Sequence, residues 1–329
     1  MDKETPVRIG VMGTADIARR HIIPALESLP GQYRISGIAT RDTEKAGRHE
    51  IFGKYPVFQG YGSLLSKETT DAVYIPLPNS LHAEWIDRAL DAGIHVLVEK
   101  SLACSLAEAE YLNNKARDKG LVLVENFQFR FHRQWKEITR LLEEGAIGEL
   151  RCMRSSFGFP PFTDKQNIRY QKALGGGALL DAGAYPIKLA QMILGRDISV
   201  GDARLYTDKR YEVDTWGGAF IRQNAGSLFA EIAFGFDHFY QCSLELWGSR
   251  GKLTAGRIFT ASPGFEPGIE LETSEGKQTI SPGADNHFRN MLIHVHALVN
   301  DSFQAKDEYE QNINQARLLE ECKRLAHAG

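Results

Sequence analysis

Short apolar runs alternate with amphipathic segments along the first 125 residues of the chain. The apolar runs have the length of strands, whereas the segments between them repeat apolar residues every three or four positions, as helices do. Five strands are predicted on this basis, over residues 7–12, 33–39, 71–75, 95–98 and 121–125. Strands that alternate with helices indicate a parallel sheet with helices on both faces. We therefore predict a doubly wound α/β fold for this part of the chain.

The pattern changes after about residue 126, where strands with alternating apolar residues are joined by glycine-rich turns. Strands are predicted over residues 149–157, 215–222, 227–234, 241–247 and 252–258. Helices are predicted over residues 135–144, 178–194, 286–300 and 308–326. Hairpin-length connections favour an antiparallel or mixed sheet. We expect helices to cover one face of this sheet and the other face to be open for a subunit contact.

The length of the chain supports a division into two domains. A single hydrophobic core stops growing at roughly 250–300 residues, and this chain has 329. We place an N-terminal α/β domain at residues 1–125 and a C-terminal α+β domain at residues 126–329.

Charge and composition narrow the classes of partner. The net charge of −3 and the pI of about 6.4 argue against a nucleic-acid-binding protein and a polybasic membrane contact. The four cysteines are far apart and lack the spacing of a metal site, so we expect no metal. Residues 1–6 are too polar for a signal peptide, and no segment approaches the ~20 apolar residues of a membrane span. We therefore expect a cytoplasmic protein with a small-molecule partner.

The first predicted strand ends in a glycine turn that suits a dinucleotide. Read against the Rossmann fingerprint G-x-G-x-x-G, the motif is Gly13-x-Ala15-x-x-Ala18. Small side chains at these positions still let a diphosphate approach the backbone, and the N-terminus of the next helix offers free N–H groups. A tight turn without a ligand explains the motif equally well. Its position on the first strand of a βαβ series favours the nucleotide.

The end of the second strand bears on which nicotinamide nucleotide is bound. NAD enzymes place an acid there to hold the ribose 2′-hydroxyl, whereas this strand continues as Thr40-Arg41-Asp42. Arg41 and Thr40 can bind a 2′-phosphate by charge and hydrogen bonds. Because Asp42 could turn toward the ribose, the sequence favours NADP(H) and leaves NAD(H) open.

Polar residues follow the next two strands, at the edge where ligands bind in doubly wound sheets. The third predicted strand leads into a segment that ends at His82, and the fourth ends in Glu99-Lys100. A lysine directly after an apolar run is costly to bury, so Lys100 is a candidate for the reaction itself. The alternatives are an ion pair of Lys100 with Glu99 and, for His82, an ordinary place on a helix surface.

A glycine-rich segment over residues 175–177 precedes the helix predicted over 178–194. These glycines let the helix begin close to another backbone. Asp181 and Tyr185 are four residues apart and share one helix face, and Pro186 predicts a distortion near Tyr185. By spacing alone, a core tyrosine and a capping or surface acid explain this pattern better than a catalytic pair.

Taken in order, these segments resemble the Gfo/Idh/MocA oxidoreductase family over nearly the whole chain. The resemblance rests on Gly13-Thr-Ala-Asp-Ile-Ala18, Ile75-Pro-Leu-Pro-Asn-Ser-Leu-His82, Glu99-Lys100, Arg130-Phe-His132, Asn167-Ile-Arg169 and residues 175–185. Two positions depart from the family pattern: Ser101 replaces the proline that normally follows the Glu-Lys pair, and Tyr185 stands where histidine is common. The tyrosine form is similar to sugar 3-ketoreductases and to dihydrodiol and aldose dehydrogenases.

The resemblance implies acid–base roles for Lys100 and Tyr185, with Asp181 orienting the substrate or the lysine. These roles suit ketone reduction, because a phenol is normally protonated and a nearby ammonium stabilises developing negative charge. Arg130 and Arg169 are candidate anchors for anions. The implied cofactor-binding residues are Gly13, Thr14, Ala15, Asp16, Ile17, Thr40, Arg41, Pro76, Leu77, Asn79, His82, Glu99, Lys100, Gln128 and Arg169. The family's second domain is also expected to be a large open, mostly antiparallel sheet that forms homodimer or homotetramer contacts.

The expected function is hydride transfer between NADP(H) and a sugar carbonyl or hydroxyl. The leading interpretation is a reductase of a keto-sugar, which can be nucleotide-linked. An NADP-dependent aldose (xylose-type) or trans-dihydrodiol dehydrogenase fits the same residues, since one acid–base pair serves both directions. A non-catalytic NADP-sensing regulator is a third alternative, which the presence of Lys100 and Tyr185 disfavours.

Overall fold

The computed structural model describes residues 5–327, so the first four residues of the polar N-terminus considered above lie outside it. Within this range the chain forms two compact units. The first comprises the chain up to Asn126 together with Phe288–Ile313. The second comprises Phe127–His287 together with the chain from Asn314 onward.

Six parallel strands form the sheet of the first unit. They are Val7–Met12 (β1), Tyr33–Thr40 (β2), Val57–Gln59 (β3), Ala72–Ile75 (β4), His95–Glu99 (β5) and Leu123–Asn126 (β6). Their order is β3-β2-β1-β4-β5-β6, with every pairing parallel. The chain builds outward from β1 first on one side and then on the other, which confirms the predicted doubly wound fold. The sequence analysis missed β3, because none of its three residues is buried and they form no apolar run.

Helices connect these strands. They are Ile23–Glu27 (α1), Thr43–Arg48 (α2), Asn79–Asp91 (α3) and Leu106–Asp118 (α4). A π-helical turn, Ala18–Ile22, precedes α1. Helix α2 is short because the backbone becomes extended at His49. Gly53 then packs against the carbonyl oxygen of Gly47, where a Cβ would lie 2.4 Å away.

Eight strands form the sheet of the second unit. They are Leu150–Gly158 (β7), Ile198–Asp208 (β8), Val213–Gln223 (β9), Phe229–Gly235 (β10), Gln241–Gly248 (β11), Gly251–Gly256 (β12), Ile269–Thr273 (β13) and Gly276–Ile280 (β14). Their order is β14-β13-β12-β11-β7-β10-β9-β8. Only β7 and β10 pair in parallel among these neighbours of the described chain. The large, mostly antiparallel sheet is therefore confirmed, and β8, β13 and β14 add to the predicted strands.

The two faces of this sheet differ in character. Phe220, Glu231, Arg154 and Glu245 lie directly opposite one another on four successive strands, so they share a face. That face also carries exposed aromatic side chains, at Tyr206, Trp216, Phe220 and Trp247. Most alternate positions on the same strands are buried.

Two helices belong to this unit before the chain returns to the first. They are Arg133–Glu143 (α5) and Ala184–Leu194 (α6). Helix α6 packs on β7 and β10, and a π-helical turn, Leu179–Gly183, comes directly before it. This turn is the distortion predicted from Pro186. Proline has no N–H, so it cannot form the α-helical hydrogen bond with the carbonyl oxygen of Ala182.

The last two helices are His287–Asn300 (α7) and Lys306–His327 (α8). The sequence analysis assigned both to the second domain, whereas Phe288–Ile313 groups with the first unit. Hydrogen bonds explain this difference. Tyr33 donates from its hydroxyl to Leu292 O at 2.7 Å, and Tyr309 donates to Leu121 O at 2.6 Å. None of the helices in residues 5–327 combines the length and apolarity that a membrane crossing requires.

Candidate active site

The turn after β1 has the geometry that requires glycine. Gly13 has φ +96°, and its N–H donates to Ala39 O at 2.6 Å. A Cβ at Gly13 would lie 3.1 Å from Cδ2 of Leu77, which follows β4. The next two residues, Thr14 and Ala15, are exposed and half-buried respectively. Gly13 itself is buried, so Thr14 and Ala15 are the accessible part of the turn that follows β1.

Asp16 and Ile17 begin the helical segment that follows this turn. The Asp16 carboxylate pairs with Arg19 at 2.5 Å and with Arg20 at 2.7 Å. Hydrogen bonding by Arg19 lowers the pKa of Asp16. Its carboxylate thus stays ionised at the edge of the turn, balanced by two guanidinium groups.

The end of β2 uses its acid as a helix cap. Asp42 Oδ1 accepts from Lys45 N at 2.9 Å, at the start of α2. Thr40 is buried, and its Oγ1 accepts from Asp42 N at 3.2 Å. The Arg41 side chain is exposed, while its carbonyl oxygen accepts from Gln59 Nε2 at 3.2 Å. A carboxylate engaged as a cap beside an exposed guanidinium suits a 2′-phosphate better than a bare 2′-hydroxyl.

His82 connects the segments that follow β4 and β5. Its ring nitrogens lie 2.8 Å from Leu77 O and 2.8 Å from Ser101 O. The ring is fully buried. Burial lowers the pKa of His82 to about 4, while the two carbonyl groups act in the opposite direction. His82 therefore joins the segments after β4 and β5 through the backbone of Leu77 and Ser101, with Pro76 and Asn79 on the same connection as Leu77.

Buried polar groups also fix the segment around Lys100. Glu99 Oε1 accepts from Tyr74 Oη and from Asn126 Nδ2, each at 2.6 Å. Burial raises the pKa of Glu99. The peptide bond between Lys100 and Ser101 is cis. The Lys100 side chain is half-exposed. Its two neighbours in the chain are both held by hydrogen bonds, Glu99 through its carboxylate and Ser101 through its carbonyl oxygen.

In the second unit, the ring of Tyr185 lies in an aromatic enclosure. Four phenylalanine rings lie around it with centroid distances of 5.1–6.0 Å, namely Phe127, Phe129, Phe157 and Phe259. The Tyr185 side chain is only half-buried, so this enclosure has an open side. A phenol is ordinarily protonated at neutral pH, so the Tyr185 hydroxyl can donate a proton.

Asp181 forms an ion pair one turn before Tyr185. Arg169 Nε donates to Asp181 Oδ2 at 2.6 Å. The turn that holds Asp181 is capped by Asp214 of β9, whose Oδ2 accepts from Leu179 N at 2.6 Å. Gly177 has φ +117°, and a Cβ there would lie 2.3 Å from Asp214 Oδ1. A Cβ on Gly176 would lie 2.5 Å from Arg169 O, so the glycine segment does lie close to another backbone, as predicted.

Two other candidates lie in the same unit. Gln128 is buried, and its Nε2 lies 3.5 Å from Phe259 O, at the limit of a hydrogen bond. The guanidinium of Arg130 lies 5.1 Å from the centre of the Phe131 ring. Across residues 5–327, no three His, Cys, Asp or Glu side chains converge as a metal site would require.

Sequence reasoning missed three features of this site. The phenylalanine enclosure, Asp214 and the fully buried Lys188 carried no motif. Lys188 Nζ lies 3.1 Å from Gln191 Oε1 and 5.6 Å from the centre of the Phe127 ring. The two phenylalanines in Phe127-Gln-Phe129, directly after β6, were the one local sequence signal for the enclosure. Asp214 lies in a long strand, and only its hydrogen bond with Leu179 N reveals its role.

The structure therefore gathers the candidates into two groups, one in each unit. The first group lies at the carboxyl ends of β1, β2, β4 and β5 and includes the glycine turn after β1, as in domains that bind dinucleotides. The second group places a protonated phenol beside an ion pair on a helix under an open-faced sheet. Together these groups define the class of nicotinamide-dependent oxidoreductases built from a Rossmann domain and a substrate domain.

Comparison with known proteins identifies the family. Residues 7–127 match the Gfo/Idh/MocA profile, described as an oxidoreductase family with an NAD-binding Rossmann fold. Residues 135–254 match the Gfo/Idh/MocA C-terminal domain. The chain belongs to the Gfo/Idh/MocA family of oxidoreductases.

Several relatives have assigned activities. The chain is 40% identical over 317 residues to a dTDP-3,4-didehydro-2,6-dideoxy-alpha-D-glucose 3-reductase of Actinomadura kijaniata, covering 96% of this chain and 94% of that protein. It is 32% identical over 256 residues to D-xylose 1-dehydrogenase (NADP(+)) 2 of Haloferax volcanii, covering 77% of each. Among solved structures, the 3-ketoreductase KijD10 from Actinomadura kijaniata, in complex with NADP and TDP-benzene, superposes with a TM-score of 0.93 at 38% identity. That superposition covers 98% of both chains.

Proposed function

We propose that this protein is an NADPH-dependent reductase of a keto-sugar carried on a nucleoside diphosphate. The observation that carries the proposal is Tyr185, a half-buried phenol in an apolar enclosure, one turn from the Asp181–Arg169 ion pair. Such a group can give a proton to a carbonyl oxygen that becomes an alkoxide. The similarity to a dTDP-sugar 3-reductase and to KijD10 supports both the reaction and the substrate class.

We assign cofactor binding to the first unit. The φ of Gly13, the small Ala15 and the exposed Arg41 fit a dinucleotide with a 2′-phosphate, and Asp42 is occupied as a helix cap. Residues 14–17 would receive the diphosphate at the helix N-terminus, and Thr40 and Arg41 the 2′-phosphate. NADPH, when bound, supplies the hydride. His82 joins the backbone of Leu77 to that of Ser101, and these two segments would border the cofactor at the carboxyl ends of β4 and β5.

We assign the acid–base chemistry to Lys100 and Tyr185. Tyr185 donates the proton to the substrate oxygen, and the Lys100 ammonium stabilises the negative charge that develops there. Asp181 orients the substrate hydroxyl groups and holds Arg169. The second unit would then be the substrate domain.

The second candidate function is oxidation of a free aldose with NADP+. The observation that favours it is the 32% identity to the D-xylose 1-dehydrogenase. The acid–base residues would act in the opposite sense, with Tyr185 taking up the proton of the sugar hydroxyl.

We also propose that the protein is a homodimer or homotetramer in the cytoplasm. The aromatic face of the eight-stranded sheet supports a subunit contact, because an apolar patch of this kind is costly to leave in water. The four cysteines, which form no disulfide in the described structure, suit a reducing compartment.

The first experiment is a titration of the purified protein with NADPH and with NADH, followed by nicotinamide fluorescence, for wild type and Arg41→Ala. We expect NADPH to bind at least ten-fold more tightly than NADH, and Arg41→Ala to remove most of that preference, because a charged phosphate contact contributes roughly 1.5–3 kcal/mol. Preference for NADH would contradict the cofactor assignment, and binding of neither nucleotide would contradict the function.

Turnover then separates the two functions. We expect NADPH oxidation with a dTDP-linked 3-keto-sugar and little NADP+ reduction with D-xylose. The reverse ranking would establish the aldose dehydrogenase, and activity with neither class would contradict both.

A further inference from the structure

Arg169 is fixed within the second unit by its backbone. Its N–H donates to Asn167 Oδ1 at 3.1 Å, and its carbonyl oxygen accepts from Gly177 N at 3.0 Å. A Cβ on Gly176 would lie 2.5 Å from that carbonyl oxygen. The glycine segment before Asp181 is therefore shaped to the backbone of Arg169, and the arginine is held in one place relative to the turn.

The guanidinium is fixed as well. Arg169 Nε donates to Asp181 Oδ2 at 2.6 Å, and the guanidinium lies 4.8 Å from the centre of the Phe162 ring. The Asp181 side chain is 13% exposed and that of Arg169 is 36% exposed, so solvent partly screens this pair. Tyr185 follows Asp181 by four residues along the same helical segment.

Arg169 and Tyr185 influence each other's ionisation. The charge of Asp181, and in addition that of an ionised Tyr185, raise the pKa of Arg169. Coupling between two titrating groups is reciprocal. A Tyr185 phenolate stabilises the charged guanidinium of Arg169, and the charged guanidinium stabilises the phenolate by the same free energy. The four surrounding phenylalanine rings act in the opposite direction, because an apolar enclosure disfavours a phenolate.

We propose that Arg169 is a positioning residue that sets the ionisation of Tyr185, with Asp181 as the counter-charge that limits its effect. The assignment rests on the proposed role of Tyr185 as proton donor. The expectation from the sequence, that Arg169 anchors a cofactor anion, is the competing outcome of the test below.

Other ionisable groups lie near Tyr185 in this unit. Asp214 of β9 caps the turn that holds Asp181, and Cys242 of β11 accepts a hydrogen bond from Phe259 N at 3.4 Å. Burial raises the pKa of both groups. Lys188, one turn further along α6, is fully buried, with Nζ 3.1 Å from Gln191 Oε1. These residues, and Lys100 of the first unit, stay unchanged in every variant of the test.

The test measures the ionisation of Tyr185 in Arg169→Met, Arg169→Lys and Asp181→Asn. Tyrosinate absorbance at alkaline pH is recorded for each protein and for the same protein carrying Tyr185→Phe, and the difference isolates this one of the 11 tyrosines. The pH profile of kcat/KM for ketone reduction is recorded in parallel. The absorbance measurement requires no substrate.

We expect Arg169→Met to move the midpoint of both curves to higher pH by about one unit, because a favourable positive charge is lost. Asp181→Asn should move it to lower pH, because the guanidinium is then unopposed. Arg169→Lys keeps the charge and should restore most of the wild-type midpoint. If one variant fails to fold, the opposite shift of the other still decides the question.

Midpoints that stay within about 0.3 pH units of wild type in both Arg169→Met and Asp181→Asn would overturn the proposal, even if kcat falls. A more than ten-fold loss of NADPH affinity in Arg169→Met with an unchanged midpoint would overturn it in favour of a cofactor anchor. Full activity of Tyr185→Phe would contradict the proton-donor role alone. The absorbance shift would still be measurable in that case, so the two failures are distinguishable.

Discussion

At the scale of single residues, the polar side chains of the candidate site fall into two kinds. His82 and Glu99 are buried, and both form hydrogen bonds within the first unit. His82 contacts the backbone of Leu77 and Ser101, and Glu99 accepts from Tyr74 and Asn126. They shape the site without reaching its surface. Lys100 and Tyr185 are partly exposed, and this difference in exposure is why we assign the reaction to them.

Replacing Tyr185 with phenylalanine tests this assignment most directly. The ring keeps its packing among the four phenylalanines, so only the hydroxyl is lost. We expect kcat for ketone reduction to fall by about 10²- to 10⁴-fold, with an unchanged NADPH dissociation constant.

Tyr211→Phe is the matched control for this variant. Tyr211 stacks on Tyr170 with a centroid distance of 4.4 Å and lies outside the enclosure around Tyr185. It should retain wild-type turnover. Equal losses in the two variants, measured by steady-state kinetics, would mean that the hydroxyl of Tyr185 has no special role.

At the scale of elements, the strands and turns depend on a few buried polar contacts. Asp214 on β9 caps the π-helical turn before α6, and the cap needs Gly177 beside it because a side chain would collide with the carboxylate. In the first unit, His95 begins β5 and accepts from Val122 N through Nδ1 at 3.0 Å. Each contact joins segments that are far apart in sequence or in different elements.

The His95 contact predicts a loss of stability in acid. Burial, together with the positive charge of Lys67, lowers the pKa of His95 to about 4, while Asp71 acts in the opposite direction. A histidine in the unfolded chain titrates near 6.5, so the folded state binds fewer protons below that pH. The stabilisation is complete above about pH 6.5 and is lost as the pH falls toward 4. At pH 5 the loss is about 2 kcal/mol.

Urea unfolding at pH 7 and pH 5 measures this loss. His95→Asn keeps an acceptor for Val122 N but cannot take up a proton. Its free energy of unfolding should therefore fall less between the two pH values than that of the wild type. Parallel changes in the two proteins would show that His95 does not contribute.

At the scale of the whole molecule, the open face of the eight-stranded sheet is the surface that we propose as the subunit contact. Tyr206 stacks on Trp216 with a centroid distance of 5.1 Å, and the Arg154 guanidinium lies 4.2 Å from the Trp247 ring centre. Arg154 also pairs with Glu231 at 2.7 Å. A surface that mixes large aromatic side chains with paired charges is typical of subunit interfaces.

Disrupting this face should dissociate the proposed oligomer. We expect the wild type to have the mass of a dimer or tetramer by size-exclusion chromatography with light scattering, and Trp216→Glu/Phe220→Glu to have the mass of a monomer. Phe303→Glu is the control, because Phe303 is 90% exposed but belongs to the first unit. A monomeric wild type, or a double variant with unchanged mass, would contradict the proposal.

The sequence by itself determined the architecture of the first unit and the identity of the principal candidates. Buried parallel strands carry continuous apolar runs, and Gly13 marks a turn that only glycine adopts easily, so local pattern was sufficient there. Lys100 and Tyr185 were identifiable because a lysine after an apolar strand and a family-like motif are both local features.

Only the tertiary structure decided how the candidates are used. It added β3, β8, β13 and β14, grouped Phe288–Ile313 with the first unit, and gave Asp181 its partner Arg169. It also showed that His82 joins the backbone of Leu77 to that of Ser101. These outcomes depend on contacts between distant parts of the chain. The whole fold sets which strands pair and which side chains are buried there, so the sequence shows no periodic pattern that would predict them.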